Sequence, residues 1–194
     1  TGKVFAASNP DYSEVMWFYP VGSGNTDITN YVTFNYLENV WSIGTMARGT
    51  WNYAPSRKNP IASSCDTDNV NTNYLYNQEL GYNADGSELT AYIESGDLEL
   101  SDGEQFIMVK RIIPDFSFGG GSSSDASMTI TLKGKDFPLN TATTLTTSTV
   151  VPTSSQSHVR ARSRDIILRV ENTGTGYSWR LGTPRFDMRT DGRR

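Results

Sequence analysis

A chain of 194 residues with one cysteine, Cys65, and one histidine, His158, can close no intrachain disulfide and cannot fill a zinc site from nitrogen and sulfur ligands alone. No apolar run approaches the roughly 20 residues of a membrane-spanning helix. Net charge is −4, but residues 1–157 hold eight basic and seventeen acidic side chains (−9), whereas residues 158–194 hold nine arginines against four acids (+5). A basic end of this kind faces nucleic acid, an acidic neighbour, or the acidic body of its own chain.

Apolar spacing of the helical kind is not sustained anywhere, whereas alternating strand patterns recur between Gly, Asn, Asp, Ser and Pro clusters. Lys3–Ser8, Glu14–Pro20, Asn30–Tyr36 and Val40–Thr45 are read as a four-stranded meander with the dimensions of one β-propeller blade. Trp41 and Ile43 are expected in its core layer. A second, less regular blade is expected from Met46, with strands at Gly49–Tyr53, Pro60–Cys65 and Asn73–Glu79. Blades bury their faces only against companions, so a chain with one or two of them is expected to belong to a longer polypeptide. The start at Thr1-Gly2, without Met, points the same way.

Longer strands follow: Leu89–Ser95, Gln105–Ile113, Met128–Gly134, Thr144–Val151, Arg164–Asn172, Tyr177–Leu181 and Arg185–Arg189. Met128, Ile130 and Leu132 alternate with Thr129, Thr131 and Lys133, the signature of one buried and one wet face. The predicted fold is therefore all-β, with partial β-propeller blades over residues 1–88 and an antiparallel β-sandwich-like domain over 89–194.

Catalytic constellations are thin. His158 opens an arginine-bearing segment, and no strand–turn–helix pattern presents a nucleophile. Cys65 lies beside Asp66 and Asp68, which disfavour a thiolate, and is read as a small buried hydrophobe. The acidic turns Asp66–Asn69 and Asp97–Glu104 offer oxygen ligands but match no calcium loop. Trp17, Trp41, Trp51 and Trp179 lie in or beside strands and are read as core. Arg160, Arg162 and Arg164 alternate on one strand face, where three guanidinium groups must meet carboxylates, phosphate or water. They are assigned to electrostatic and assembly contacts, with carboxylate pairing favoured over nucleic acid. After Arg164 the same parity turns apolar at Ile166, Leu168 and Val170, which requires a bulge or a passage into the core.

Several segments, in order, carry a family resemblance: Asn9-Pro10-Asp11-Tyr12-Ser13-Glu14-Val15-Met16-Trp17-Phe18-Tyr19-Pro20, then Tyr31–Tyr36 and Trp41-Ser42-Ile43-Gly44, then Glu79-Leu80-Gly81 and Tyr92–Leu98. Asp102–Phe106, Arg111–Asp115, Trp179–Asp187 and Asp191–Arg194 complete the set. Together they resemble the tail-tube or nozzle proteins of short-tailed bacteriophages. The resemblance implies the C-terminal part of a larger structural protein, its last propeller blades followed by a β-rich platform. It also implies a homo-oligomeric ring, commonly sixfold, mounted below the portal and adaptor with other tail proteins, through which DNA passes without specific binding. The expected location is the virion tail, after synthesis in the host bacterial cytoplasm. The family supplies no catalytic residues, cofactor or membrane partner. Two other functions compete: a host-glycan-binding tail module, marked by exposed aromatics, and a glycan-cleaving tail enzyme, marked by two close carboxylates.

Overall fold

Residues 3–22, 27–65, 74–100, 104–121, 123–172 and 174–192 are described by the computed structural model. The acidic turn at 66–69 and residues 101–103 of the second acidic turn lie outside them. The chain divides into two compact units, Thr1–Leu80 and Gly81–Arg194. The change in strand spacing in the sequence puts the boundary between residues 88 and 89. Residues 82 and 83 already contact the second unit, where the Tyr82 ring lies against Gly120 and Asn83 Oδ1 accepts the Gly176 N–H at 2.6 Å.

In the first unit the predicted meander forms from β1 (Phe5–Asn9), β2 (Glu14–Tyr19), β3 (Asn30–Asn35) and β4 (Val40–Thr45), paired antiparallel in chain order. Its turns have local causes. Pro10 opens a single 3-10 turn, closed by Ser13 at φ +59, whose N–H reaches the Pro10 carbonyl. Between β3 and β4, Asn35 Oδ1 accepts the Leu37 and Glu38 N–H groups at 3.0 and 2.9 Å. The register puts Phe5, Ala7, Met16, Phe18, Tyr31 and Thr33 on one face.

A second, three-stranded antiparallel sheet follows, β5 (Arg48–Asn52), β6 (Ile61–Ser64) and β7 (Leu75–Asn77), and β5 with the residues flanking this sheet packs on that face. Met16, Phe18 and Ile28 are buried there, and Met46, Trp51 and Cys65 pack on them. Phe18 is the hub. Its ring lies 4.8 Å from Phe5 and 5.9 Å from both Tyr31 and Trp51, within the range of favourable aromatic pairs. Cys65 is half-buried in this cluster, as a small hydrophobe.

The second unit contains β8 (Tyr92–Glu94), β9 (Ile107–Ile113), β10 (Phe116–Gly119), β11 (Met128–Lys135), β12 (Thr143–Val150), β13 (Ser157–Ser163), β14 (Asp165–Asn172), β15 (Ser178–Leu181) and β16 (Arg185–Thr190). They form three antiparallel sheets, ordered β12-β11-β14-β8, β13-β9-β16 and β10-β15, none closed on itself. One core draws on all three. It is built from Ile107, Val109 and Ile112, from Met128, Ile130 and Leu132, and from Ile166 and Val170, with Phe116, Phe118, Trp179 and Phe186 packed around them.

Two strands differ from expectation. Phe116–Gly119 pairs with β15 through Phe118↔Trp179, a strand too short to read between Pro114 and the glycines. The segment from His158 onward is not one strand carrying a parity change. It is two strands in different sheets, with Arg164 at the corner between them. A bulge between His158 and Ala161 adds a further irregularity upstream. The apolar parity at Ile166, Leu168 and Val170 therefore belongs to another sheet.

Candidate functional site

The β1–β4 meander carries apolar side chains on both faces. Opposite the buried one, the register aligns Ala6, Val15, Trp17, Tyr19, Val32, Phe34, Trp41 and Ile43. No charged side chain stands among them. Trp41 packs on Phe34 at 4.6 Å and on Trp17 at 5.8 Å. Yet Trp41 is 64% and Ile43 73% exposed, and all but one residue of β4 is exposed. The expected core position of Trp41 and Ile43 is thus corrected: the face is apolar, but among the described residues it stays open to solvent. Trp51 and Trp179 do pack against the two cores.

The three arginines of the basic ladder take different positions. Arg160 lies in the bulged part of β13, exposed, and has no ion-pair partner among the described residues. Arg162 reaches across the start of β9 to a carboxylate beyond β16. Its Nε donates to Asp191 Oδ2 at 2.7 Å, its Nη2 to the Asp191 carbonyl at 3.1 Å, and its guanidinium lies 4.0 Å from the centre of the Phe106 ring. Arg164 approaches the same ring at 5.1 Å and Phe137 at 5.7 Å, with Nη1 donating to the Glu104 carbonyl. Arg162 and Arg164 therefore converge on Phe106, whose backbone pairs with Asp191 and Gly192. One arginine spans all three strands of the β13-β9-β16 sheet at one end. At the other end Arg111 reaches Asp187 at 3.5 Å and Gln156 at 3.3 Å.

His158 is exposed, with its ring beside Gln156. No group of three or more His, Cys, Asp or Glu side chains among the described residues is placed to hold a metal. Asp97, from the second acidic turn, pairs with Lys135. Two clefts, one lined by Ser117, Phe118, Gly119, Ser178 and Arg180 and the other chiefly by Phe5, Ile28, Trp51 and Cys65, have no carboxylate in their linings.

A polar cluster in the first unit had no signal in the sequence. Asn9 is wholly buried and does not cap the turn it precedes. Its Nδ2 donates instead to Glu79 Oε1 at 3.0 Å, across seventy positions of chain. Glu14 stands opposite Asn9 in the β1–β2 register. Burial first, and then the Glu79 charge, raise Glu14 above the usual carboxyl range. Burial raises Glu79 as well, opposed by the Asn9 donor. Glu79 as a residue is exposed at a corner, but its carboxylate reaches inward. Only spatial proximity joins Asn9 and Glu79, so no local pattern could have found the pair.

Comparison with known proteins gives no match to any family model and none to any curated protein.

Proposed function

We propose that the chain is a structural part of the tail tube or nozzle of a short-tailed bacteriophage, acting by assembly around the path of DNA ejection. The observation that carries this reading is the two-faced meander. On one face of β1–β4, Met16 and Phe18 are covered by Met46, Trp51 of β5 and Cys65, and the other face offers Trp17, Phe34, Trp41 and Ile43 uncovered. An exposed, uncharged aromatic sheet face supports the reading of a contact surface. Stacked blades, each covering the next, account for both faces at once. In this reading the second unit is the β-rich platform, with a sandwich-like core.

The electrostatics support the same assignment. A conduit for DNA should repel phosphate, because phosphate contacts multiply into tight, salt-dependent binding. An acidic body serves that end, and the arginine-rich end then belongs at subunit contacts. The Arg162–Asp191 pair accords with a basic segment occupied by carboxylate. Electron microscopy of the full-length parent tests the proposal: a ring mounted on the tail is expected, with Arg160, Arg162 and Arg164 away from the bore. A parent that is monomeric and absent from virions overturns it.

One observation favours a second reading, the glycan-binding module. The Trp17–Trp41 platform has the exposed aromatic character that stacks on sugar rings. Retention of the chain on a host polysaccharide column, lost in Trp41→Ala, would select this reading over blade packing.

A further inference from the structure

The buried polar cluster at Asn9 has an unfilled acceptor. Asn9 is completely buried and its Nδ2 is committed to Glu79, but its Oδ1 meets no hydrogen-bond donor from the described residues. Buried amide oxygens are nearly always paired, so a donor is required. The residue standing opposite it is Glu14. Such cross-strand partners hold their Cβ atoms roughly 4.5–5.5 Å apart, within easy reach of a glutamate carboxyl. A carboxylate cannot donate, whereas a carboxylic acid can.

The surroundings offer no cation to keep both carboxyls ionised. Among the described residues, no lysine or arginine forms an ion pair with Glu14 or Glu79. Arg57 and Lys58 are exposed in the loop that carries Asn59, and Lys3 is at the far end of β1. Arg48 bonds the Ala47 carbonyl and lies over Tyr76. Asp11, in the turn between Asn9 and Glu14, accepts the Tyr53 hydroxyl, and that bond foremost raises the hydroxyl above the usual tyrosine range. Tyr31, near both glutamates, is raised above the usual tyrosine range, by burial first and then by the carboxylate charge both carry at the alkaline pH where a tyrosine titrates.

We propose that Glu14 is held as the neutral carboxylic acid and donates its proton to Asn9 Oδ1, so that a Glu14–Asn9–Glu79 chain of hydrogen bonds fastens β1 and β2 to the corner that follows β7. Glu79 is the ionised end, because the Asn9 N–H favours its charged form. Two further features place the fastener at a position that needs one. Glu79 adopts φ +54, a left-handed conformation rarely held by a residue with a side chain, and Asn59 Nδ2 grips its carbonyl at 2.9 Å.

The proton makes this contact pH-dependent. Glu14 binds its proton more tightly folded than unfolded, so its contribution is complete below the ordinary carboxyl range. It is lost as pH rises through the folded value. The test uses the whole chain. Carbon-13 NMR should find the Glu14 carboxyl titrating above every exposed glutamate of the protein, and the thermal midpoint should fall as pH passes that value. Glu14→Gln keeps a donor for Asn9 Oδ1 and should remove this fall while preserving the midpoint on the acid side of the Glu14 titration. Titration of Glu14 together with the exposed glutamates would overturn the proposal, and this reading on the unmodified chain stands even if the variant fails to fold. So would a rise in the neutral-pH midpoint on adding calcium chloride alone that disappears in Glu14→Gln, since a metal ion would then be the bridge.

Discussion

Trp17 and Trp41 stack with ring centroids 5.8 Å apart on a sheet face that carries no charge, and the outer tryptophan remains mostly in solvent. A ring so exposed adds little to the stability of its own unit, because the apolar area that would reward burial is still wet. Trp41→Ser is therefore expected to shift the unfolding free energy of the chain by less than about 1 kcal/mol. In the full-length parent the same change should abolish or weaken assembly, measured by sedimentation and by electron microscopy. Equal assembly of the variant would remove the contact role of this face.

Arg162 and Asp191 form the most direct ion pair on the basic segment, but both are about one-third exposed. Water and salt screen such a pair, so a double-mutant cycle between Arg162→Ala and Asp191→Asn should give a coupling of about 0.2–1 kcal/mol, shrinking in high salt. Arg162→Ala alone should cost more than Asp191→Asn. It also uncovers the Phe106 ring, a cation–π contact of about 0.5–1 kcal/mol at an exposed site. Equal costs for the two single changes would show that Phe106 contributes nothing.

The strands most legible in the sequence are those with one wet and one dry face. Met128, Ile130 and Leu132 are buried as their alternation requires, although Thr131 on the expected wet face is buried too, and the first meander forms within a residue or two of its predicted bounds. Periodicity failed where it is shared or interrupted. From His158 through Val170 one alternation runs through two strands, and nothing local marks Arg164 as a corner. It also failed for the meander's outer face. Apolar alternation states that a side chain would favour burial, not that the chain contains the surface to bury it. Trp41 and Ile43 therefore looked like core and are not. Asn9, which reads as a turn residue before Pro10, is drawn inward by a partner seventy positions away.

Gly134 is a point where the second core admits no extra atom. A Cβ built there would lie 2.6 Å from both Leu145 Cδ1 and Ser163 Cβ. Ser163 cannot easily yield, since its hydroxyl bonds the Lys135 carbonyl at 2.9 Å and Asp136 at 3.2 Å. Gly134→Ala is expected to destabilise by about 1–3 kcal/mol through overpacking, read from chemical denaturation. Gly96→Ala, where nothing lies within 4 Å, is the control and should be nearly neutral.

Glu94 supplies the opposite pH response to Glu14. It accepts from Lys133 at 2.7 Å and from Arg169 at 3.2 Å, and these donors, Lys133 foremost, hold its carboxyl below the usual range. A depressed carboxyl stabilises the folded state above the unfolded value and loses that contribution as pH falls through the folded one. Its side chain is 33% exposed, so the pair is worth well under about 1 kcal/mol at neutral pH. The effect should be local. Among the described residues β8 is an edge strand whose backbone pairs with β14 alone, and Glu94 is the residue through which it reaches Lys133 on β11. Arg169 links the same carboxylate to Glu171 and lies 3.9 Å from the Tyr92 ring, so removing Glu94 leaves the arginine anchored. Glu94→Gln should then speed amide hydrogen exchange in Tyr92–Glu94 at neutral pH and leave Met128–Lys135 unchanged. In the unmodified chain, acidification should produce the same selective loosening. If acid loosens Tyr92–Glu94 equally in Glu94→Gln, the carboxylate is not the group that holds the edge.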